Sequence, residues 1–391
     1  MSRRSLKIRG IVLTAALGAG ALALSACTPP LPPDVLAARA EAQIECASGN
    51  VEIATPSEFT GAMSTVGDAL GSVCPDQTVT EVAPGGKAQI ALVGQAPSDA
   101  QLLAFKTASC PADKVITIPA FAYPVSITYN VVGLEGLVFT PQAAAGVLSG
   151  AVTSWEDPLI ADANPDFDLS GLPPLALVST QAPSGAVSAM TTWISQQDSA
   201  AWPDGPVSTL KAGKKFPDQE AMLTEMLASE GTLAVLPIFT AVNNNIATAN
   251  LPVKGTDLNG QDIDTVVTSD DVQLYKVGSG ATNVTTTADG SVLASAATGG
   301  LPVEGNFDLA SSKIVLGEGA GLAGWPVEGY AHLMICDPGS NTALPLLYAQ
   351  YLVRLAGQGA LEAFGLTPLP EPIRFKTFAP LRVTVATEEG N

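Results

Sequence analysis

The chain has 391 residues, with 37 Asp and Glu against 18 Lys and Arg, a formal net charge of −19. Nothing so acidic is built to track a polyanionic backbone, which excludes nucleic acid as a partner. Its one histidine, His332, excludes a multi-histidine metal centre, and no cofactor is expected.

The first residues are basic: Arg3, Arg4, Lys7 and Arg9, with no acid among them. An apolar run from Ile11 to Ala26 follows, too short to span a bilayer as a stable helix. Basic head, apolar middle and small residues at the end predict an export signal over residues 1–26. Leu24-Ser25-Ala26-Cys27 resembles the bacterial lipobox, which makes Cys27 the expected lipidation site. The predicted location is therefore the extracytoplasmic face of the cell membrane, held by lipid alone. Losing the four signal cations takes the net charge from −19 to −23. Residues 27–45 open with Thr28-Pro29-Pro30-Leu31-Pro32-Pro33, a density of proline that favours an extended tether.

From Cys46 on, about 345 residues remain, more than one core usually holds, so two lobes are expected. Strands are predicted at 50–54, 78–82, 114–119, 126–132, 175–179, 233–238 and 330–336. Helices are predicted from Ser57 to Val73, from Thr140-Pro141 to Leu148, over 184–195, over 216–230 behind Pro217, and over 341–364 with Pro345 in the first turn. This alternation implies α/β lobes with largely parallel sheets. Residues 278–300, rich in Gly, Ser, Thr and Ala, read as a surface loop, and the Asn283-Val284-Thr285 sequon within it as chance. Trp155, Trp193 and Trp325 read as core.

Four cysteines lie beyond Cys27: Cys46, Cys74, Cys110 and Cys336. In an oxidising compartment they suggest two disulfides, and sequence alone allows three pairings. Cys46 precedes the first strand and Cys74 follows the first helix, points at the same end of a strand–helix–strand unit. Cys46–Cys74 is therefore expected, leaving Cys110 for Cys336.

Residues 123–195 carry a longer pattern. Tyr123-Pro124-Val125-Ser126-Ile127-Thr128-Tyr129-Asn130 precedes Gly133-Leu134-Glu135-Gly136-Leu137. A helix then ends in Leu148-Ser149-Gly150-Ala151-Val152-Thr153-Ser154-Trp155-Glu156-Asp157-Pro158, followed by Asn164-Pro165, Leu172-Pro173 and Ser184-Gly185. Near the C-terminus stand Gly324-Trp325-Pro326-Val327 and Phe364-Gly365-Leu366-Thr367-Pro368-Leu369-Pro370. In order and spacing this resembles the phosphate-binding proteins of bacterial phosphate ABC importers. The resemblance implies an α/β, two-lobed periplasmic-binding-protein-like fold of type II, with a ligand cleft between the lobes. Lobe 1 is expected to hold residues 46–122 plus 245–391, and lobe 2 residues 123–244. The crossovers are expected near Ala120–Ser126 and Pro237–Asn250.

In that family phosphate lies against helix N-termini, whose free N–H groups and positive dipole end favour anions. An Arg and an Asp in an Arg-x-Asp-x-Ser-Gly-Thr motif complete the site. Carried over, Ser and Gly fall on Ser184 and Gly185, while Thr180, Ala182 and Ala186 stand where Arg, Asp and Thr belong; Gln181 lies between. No Lys or Arg occurs between Lys114 and Lys211. The first-lobe loop falls on Thr55 and Ser57, with Glu58 bringing negative charge close by. A second glycine loop falls on Gly85 and Gly86, beside Lys87, and a later ligand near Gln95 or Asp99. Ser57, Thr140 and Ser184 are also ordinary helix caps. The implied protein is a monomeric solute receptor that hands phosphate or another small solute to an ABC permease, with a degenerate site and weakened phosphate affinity. The alternative is a surface scaffold or sensor keeping the same fold. An enzyme is not expected, because no Ser-His-Asp set assembles around His332 and no nucleotide-hydrolase phosphate loop is present.

Overall fold

The computed structural model describes residues 41–256, 262–268, 282–296, 306–308, 313–315 and 325–383. The export signal, Cys27 and nearly all of the tether lie outside the described residues. The elements below belong to one compact unit, Ile44–Thr384.

The chain begins with β1 (Gly49–Ala54), a short 3-10 turn (Ser57–Phe59) and α1 (Ala62–Gly71). β2 (Gln77–Val82), β3 (Ile90–Val93), α2 (Asp99–Ser109) and β4 (Lys114–Asn130) follow. Next come α3 (Pro141–Ser149), α4 (Pro158–Ala161), β5 (Ala176–Thr180), α5 (Gly185–Gln197), β6 (Lys214–Phe216), α6 (Gln219–Ala228) and β7 (Thr232–Pro237). Then α7 (Ile238–Asn243) and β8 (Ala247–Thr248) precede three hairpins: β9 (Leu251–Thr256) with β10 (Asp262–Val267), β11 (Thr282–Thr286) with β12 (Val292–Ala296), and β13 (Asn306–Asp308) with β14 (Lys313–Val315). β15 (Glu328–Asp337), α8 (Leu344–Leu352), α9 (Leu355–Phe364) and α10 (Glu371–Phe378) complete the described chain.

The main sheet runs β2-β1-β3-β15-β4-β7-β5-β6, with β8 beside β4. Pairing is parallel at the flanks, β1 with β2 and β3, β5 with β6 and β7. It is antiparallel in the middle, where β15 meets β3 and β4, and β4 meets β7. The largely parallel expectation therefore holds only outside the centre. Strands predicted at 114–119 and 126–132 are one strand of 17 residues, β4, buried from Ile116 to Tyr129. Lys114–Pro124 pairs with β15 and Val125–Asn130 with β7, so β4 belongs to two half-sheets in succession. The exchange falls at Pro124, which has no N–H to leave unpaired. An apolar run with no glycine gives the backbone no reason to turn there.

Residues 247–250 remain stitched to the second half-sheet. β8 pairs with Thr128 and Tyr129, Ala249 N donates to the Ile127 carbonyl at 2.8 Å, and Asn250 N to the Leu137 carbonyl at 2.9 Å. By Ser291 the chain is back on the first half, where the Ser291 hydroxyl accepts from Thr117 N at 2.9 Å. The stretch 278–300 is thus more than a loop. Its described part, 282–296, is a hairpin that buries Ser291, Val292 and Ala294, an alternation that the small-residue composition hides.

Several helix limits also move. Ser57 begins a 3-10 turn and caps no α-helix; α1 starts behind Gly61, whose φ of +94° lies in the left-handed region. The helix behind Pro217 begins only at Gln219, capped by Asp218, because Lys214–Phe216 pairs with β5. The helix expected over 341–364 is two, broken at Val353-Arg354. A Cβ on Gly357 would lie 2.4 Å from the Tyr351 carbonyl oxygen, so α9 packs directly on the end of α8. By contrast, Thr140 caps α3 through Ala143 N with Pro141 at the first position, and Ser184 caps α5 through Val187 N, as the sequence predicts.

Trp155, Trp193 and Trp325 are buried core residues. Disulfides join Cys46 to Cys74 and Cys110 to Cys336, each with Cα atoms 5.4 Å apart, inside the usual span. Among the described residues no helix is long and apolar enough to cross a membrane.

Candidate functional site

A cavity of about 670 Å³ lies where the loop after β1 faces the start of α5. The loop is held from below. Thr55 N donates to the Val82 carbonyl at 2.9 Å, and Phe59 is fully buried against Phe121, Tyr123 and Phe239, with ring centroids 5.3, 4.9 and 6.3 Å away. Anchoring Phe59 aims its neighbour, Glu58, across the cavity at the second half-sheet's helix. Ser184 Oγ donates to Glu58 Oε2 at 3.1 Å, and Gly185 N donates to Oε1 at 3.2 Å. A carboxylate from one half of the sheet thus sits on the helix N-terminus of the other, where free N–H groups and the dipole favour an anion.

Glu58 is only 8% exposed. Burial pushes its carboxyl up to about 7, and the hydrogen bonds from Gly185, Ser184 and Ala186 offset only part of that shift. Two glycines make the approach possible. A Cβ on Gly94 would stand 2.5 Å from Glu58 Oε1, and one on Gly185 would stand 2.4 Å from the Gly94 carbonyl oxygen. Tyr123 closes the back, its hydroxyl donating to that carbonyl at 2.5 Å. Burial first, and the Glu58 charge second, hold the Tyr123 phenol well above its ordinary range.

Two other helix ends at this cavity are also served by acids. Glu81 accepts from Gly61 N at 2.9 Å and from Ser64 N at 2.7 Å, capping α1; Asp218 accepts from Ala221 N at 2.8 Å, capping α6. With Glu220 they line the cavity beside Glu58, and among the described residues no Lys, Arg or His lines it. The basic residues next after Lys114 stand elsewhere: Lys211 pairs with Asp204 at 2.7 Å and Lys214 with Glu225 at 3.0 Å. Lys215 comes nearest, donating to Ser179 Oγ at 2.8 Å and to the Leu210 carbonyl; desolvation lowers its pKa.

Of the positions named from sequence, Thr55, Ser57, Thr180, Ser184 and Gly185 line the cavity, as do Ala182 and Gln95. Ser57 Oγ accepts from Gln219 N at 3.4 Å, a second contact between the halves. Thr180 turns its hydroxyl to the Ala182 carbonyl at 2.9 Å. Gln95 Oε1 is buried and has no hydrogen-bond partner among the described residues. Gly85 and Gly86 lie in an exposed turn and Gln181 is exposed, its N–H bonded to the Phe216 carbonyl at 2.7 Å; none lines the cavity. Ala186 is fully buried and Lys87 exposed, both away from the cavity lining. Sequence reasoning noted the charge of Glu58 but missed that it occupies the helix end, and missed Gly94 and Tyr123. The available signal was an acid gained in the first loop while the motif's cation was lost.

Among the described residues no group of His, Cys, Asp and Glu is arranged to hold a metal ion. His332 is fully buried: its Nε2 accepts from Ala294 N at 3.0 Å, which leaves the proton on Nδ1, 2.9 Å from the Tyr330 carbonyl. Burial pushes it down to about 4, so the ring is neutral.

No protein-family model matches the chain. The phosphate-binding protein PstS 3 of Mycobacterium tuberculosis (strain H37Rv) is 26% identical over 212 residues, covering 51% of this chain and 55% of that protein. PstS 3 of Mycobacterium leprae is 26% identical over 161 residues, 39% and 43% of the two chains. The chain is homologous to these proteins across those stretches, and the match spans about half the length of the curated relatives. Among solved structures, a phosphate-binding protein from Stenotrophomonas maltophilia superposes with a TM-score of 0.53 over 85% of this chain and 94% of that one, at 15% identity. A high-affinity periplasmic phosphate-binding protein solved with bound phosphate gives 0.53 over 85% and 93%, at 16% identity. The mixed α/β fold, with its curled sheet, is that of periplasmic phosphate-binding proteins.

Proposed function

We propose that this chain is the extracytoplasmic solute-binding component of an ABC import system, and that it captures phosphate, or a small solute sharing its oxyanion chemistry, at the N-terminus of α5. The observation that carries this reading is the seat itself. Ser184 Oγ and Gly185 N already hold a protein carboxylate, at 3.1 and 3.2 Å, which is the interaction a phosphate oxygen would make there. Homology to proteins named as phosphate-binding supports the ligand, and the shared fold supports capture between two lobes. In this reading the lobes are 46–122 plus 245–391 and 123–244, meeting along β4, with residues 247–250 stitched to the second. The chain acts as a monomer, tethered through lipid on Cys27 and a proline-rich segment, and delivers its solute to a membrane permease.

Thr180 and Ala182 supply neither the cation nor the proton acceptor of the family motif. A hydrogen bond to a charged group contributes ~1.5–3 kcal/mol, so losing both lowers phosphate affinity by ~100- to 10,000-fold. Calorimetric titration of the purified chain with phosphate, sulfate and neutral solutes tests the proposal. Saturable phosphate binding weaker than micromolar is expected; a neutral solute binding while phosphate gives no heat would overturn it.

A further inference from the structure

Three carboxylates serve helix ends around the cavity. Glu81 and Asp218 each cap a helix of their own half-sheet, whereas Glu58 reaches across. It takes the same two donors that the proposed ligand needs. The approach is close, since Gly94 and Gly185 meet with no space for a Cβ on either. Phe59, locked among aromatic rings, prevents the loop from drifting away. We propose that Glu58 is a built-in occupant of the α5 anion seat: it latches the two halves together, and phosphate binds only by displacing it.

Displacement follows from charge and space. Two anions cannot share one Oγ–H and one N–H, so the seat is available only in the fraction of molecules whose latch is open, and apparent affinity falls by that fraction. Deprotonation weakens the latch: opening returns Glu58 to water, where its ordinary value is 4.5, so binding a proton near neutral pH favours the closed form. Glu58, raised to about 7, gains its proton near neutral pH. The groups around it do not compete for that role. The first turn of α5 carries no titratable side chain, β4 offers Tyr123, which stays protonated, and the loop after β3 offers Gly94 and Gln95. Glu81, on the same half-sheet, and Asp218 and Glu220, on the other, also line the cavity.

The latch part stands on the structure alone; only the displacement part rests on the phosphate reading. The experiment therefore has two arms, using the full chain and its Glu58→Ala and Glu58→Gln variants. In phosphate-free buffer, amide exchange at Gly185 and Ala186 and small-angle scattering are measured at pH 6. Glu58→Ala should lose protection at both amides and expand; unchanged exchange and radius of gyration would overturn the latch. The wild type should move toward the Glu58→Ala values as pH rises from 6 to 8, and Glu58→Gln should show no such drift. In the second arm, titration with inorganic phosphate at pH 8 should be ~10- to 100-fold tighter for Glu58→Ala than for wild type, on the scale of the hydrogen bonds released. Equal affinities overturn displacement. If no variant binds phosphate while exchange and scattering respond, the latch holds and the phosphate reading fails.

Discussion

The N-termini of α1 and α5 are occupied by the same functional group with different consequences. At α1, Glu81 reaches over from β2, a strand of the same half-sheet that packs on the helix, and accepts from Gly61 N and Ser64 N. At α5 the carboxylate of Glu58 comes from the far side of the cavity, and its burial raises its pKa to about 7. A cap whose two ends move together only lowers the energy of a helix. One whose ends lie on different halves also sets how far apart those halves stand. The difference is one of connectivity, because the hydrogen-bond chemistry is alike.

The largest effect that would sharpen this contrast is in stability against pH. Glu58 binds its proton more tightly folded, at about 7, than at its ordinary value of 4.5. Between those values the unfolded chain loses its proton first, so stability falls as pH rises, by ~3 kcal/mol for this one group. Glu58→Gln should be more stable than wild type above pH 7 and equal to it near pH 4; urea melts at several pH values measure this. Glu328, also raised to about 7 by burial against one hydrogen bond from Tyr330, adds a slope of the same sign, so the single variant removes only part of the trend.

His332 supplies an effect of similar size and opposite sign. Its folded value of about 4 lies below the ordinary value of 6.5, so the unfolded chain takes up the proton first and stability falls as pH drops through that window. The loss is ~3 kcal/mol, and His332→Gln should flatten the acid limb of the same melts. A smaller change is expected from Gly185→Ala. Its methyl would meet the Gly94 carbonyl and wedge the halves apart, costing ~1–3 kcal/mol as overpacking does. Unaltered melting would mean that the two halves do not meet there. The smallest is Glu81→Ala, which should lose ~0.5–2 kcal/mol as a helix cap and change phosphate affinity far less than Glu58→Ala does. An affinity gain in that variant comparable to Glu58→Ala would erase the distinction between the two acids.

Local signals carried much of the fold. Thr140-Pro141, Ser184 and the strands at 78–82 and 233–238 are specified by residues within a turn or two of themselves, and they stand within a residue or so of where the sequence puts them. The disulfide between Cys46 and Cys74 follows from one strand–helix unit and was equally legible. Features set by distant contacts were not. The break between α8 and α9 depends on Gly357 meeting the Tyr351 carbonyl, inside a run apolar enough to read as one helix. The continuity of β4 depends on β15 and β7 arriving from far along the chain to pair with successive segments of it. Part of the cavity lining, Thr55, Ser57, Thr180, Ser184 and Gly185, was legible because these residues carry the resembled motifs. Glu58 was not, because its meaning appears only when residue 58 meets residue 184, and no local pattern records a pairing of that range.

The disulfide between Cys110 and Cys336 closes a covalent ring of chain around the whole second half-sheet. A protease that nicks any exposed loop inside that ring, such as the turn at Gly205 or the one at Gly290, separates no fragment. The cut protein would migrate as a single species on a denaturing gel until a reductant is added. Damage to the half that carries α5 would therefore leave it bonded to the half that carries Glu58.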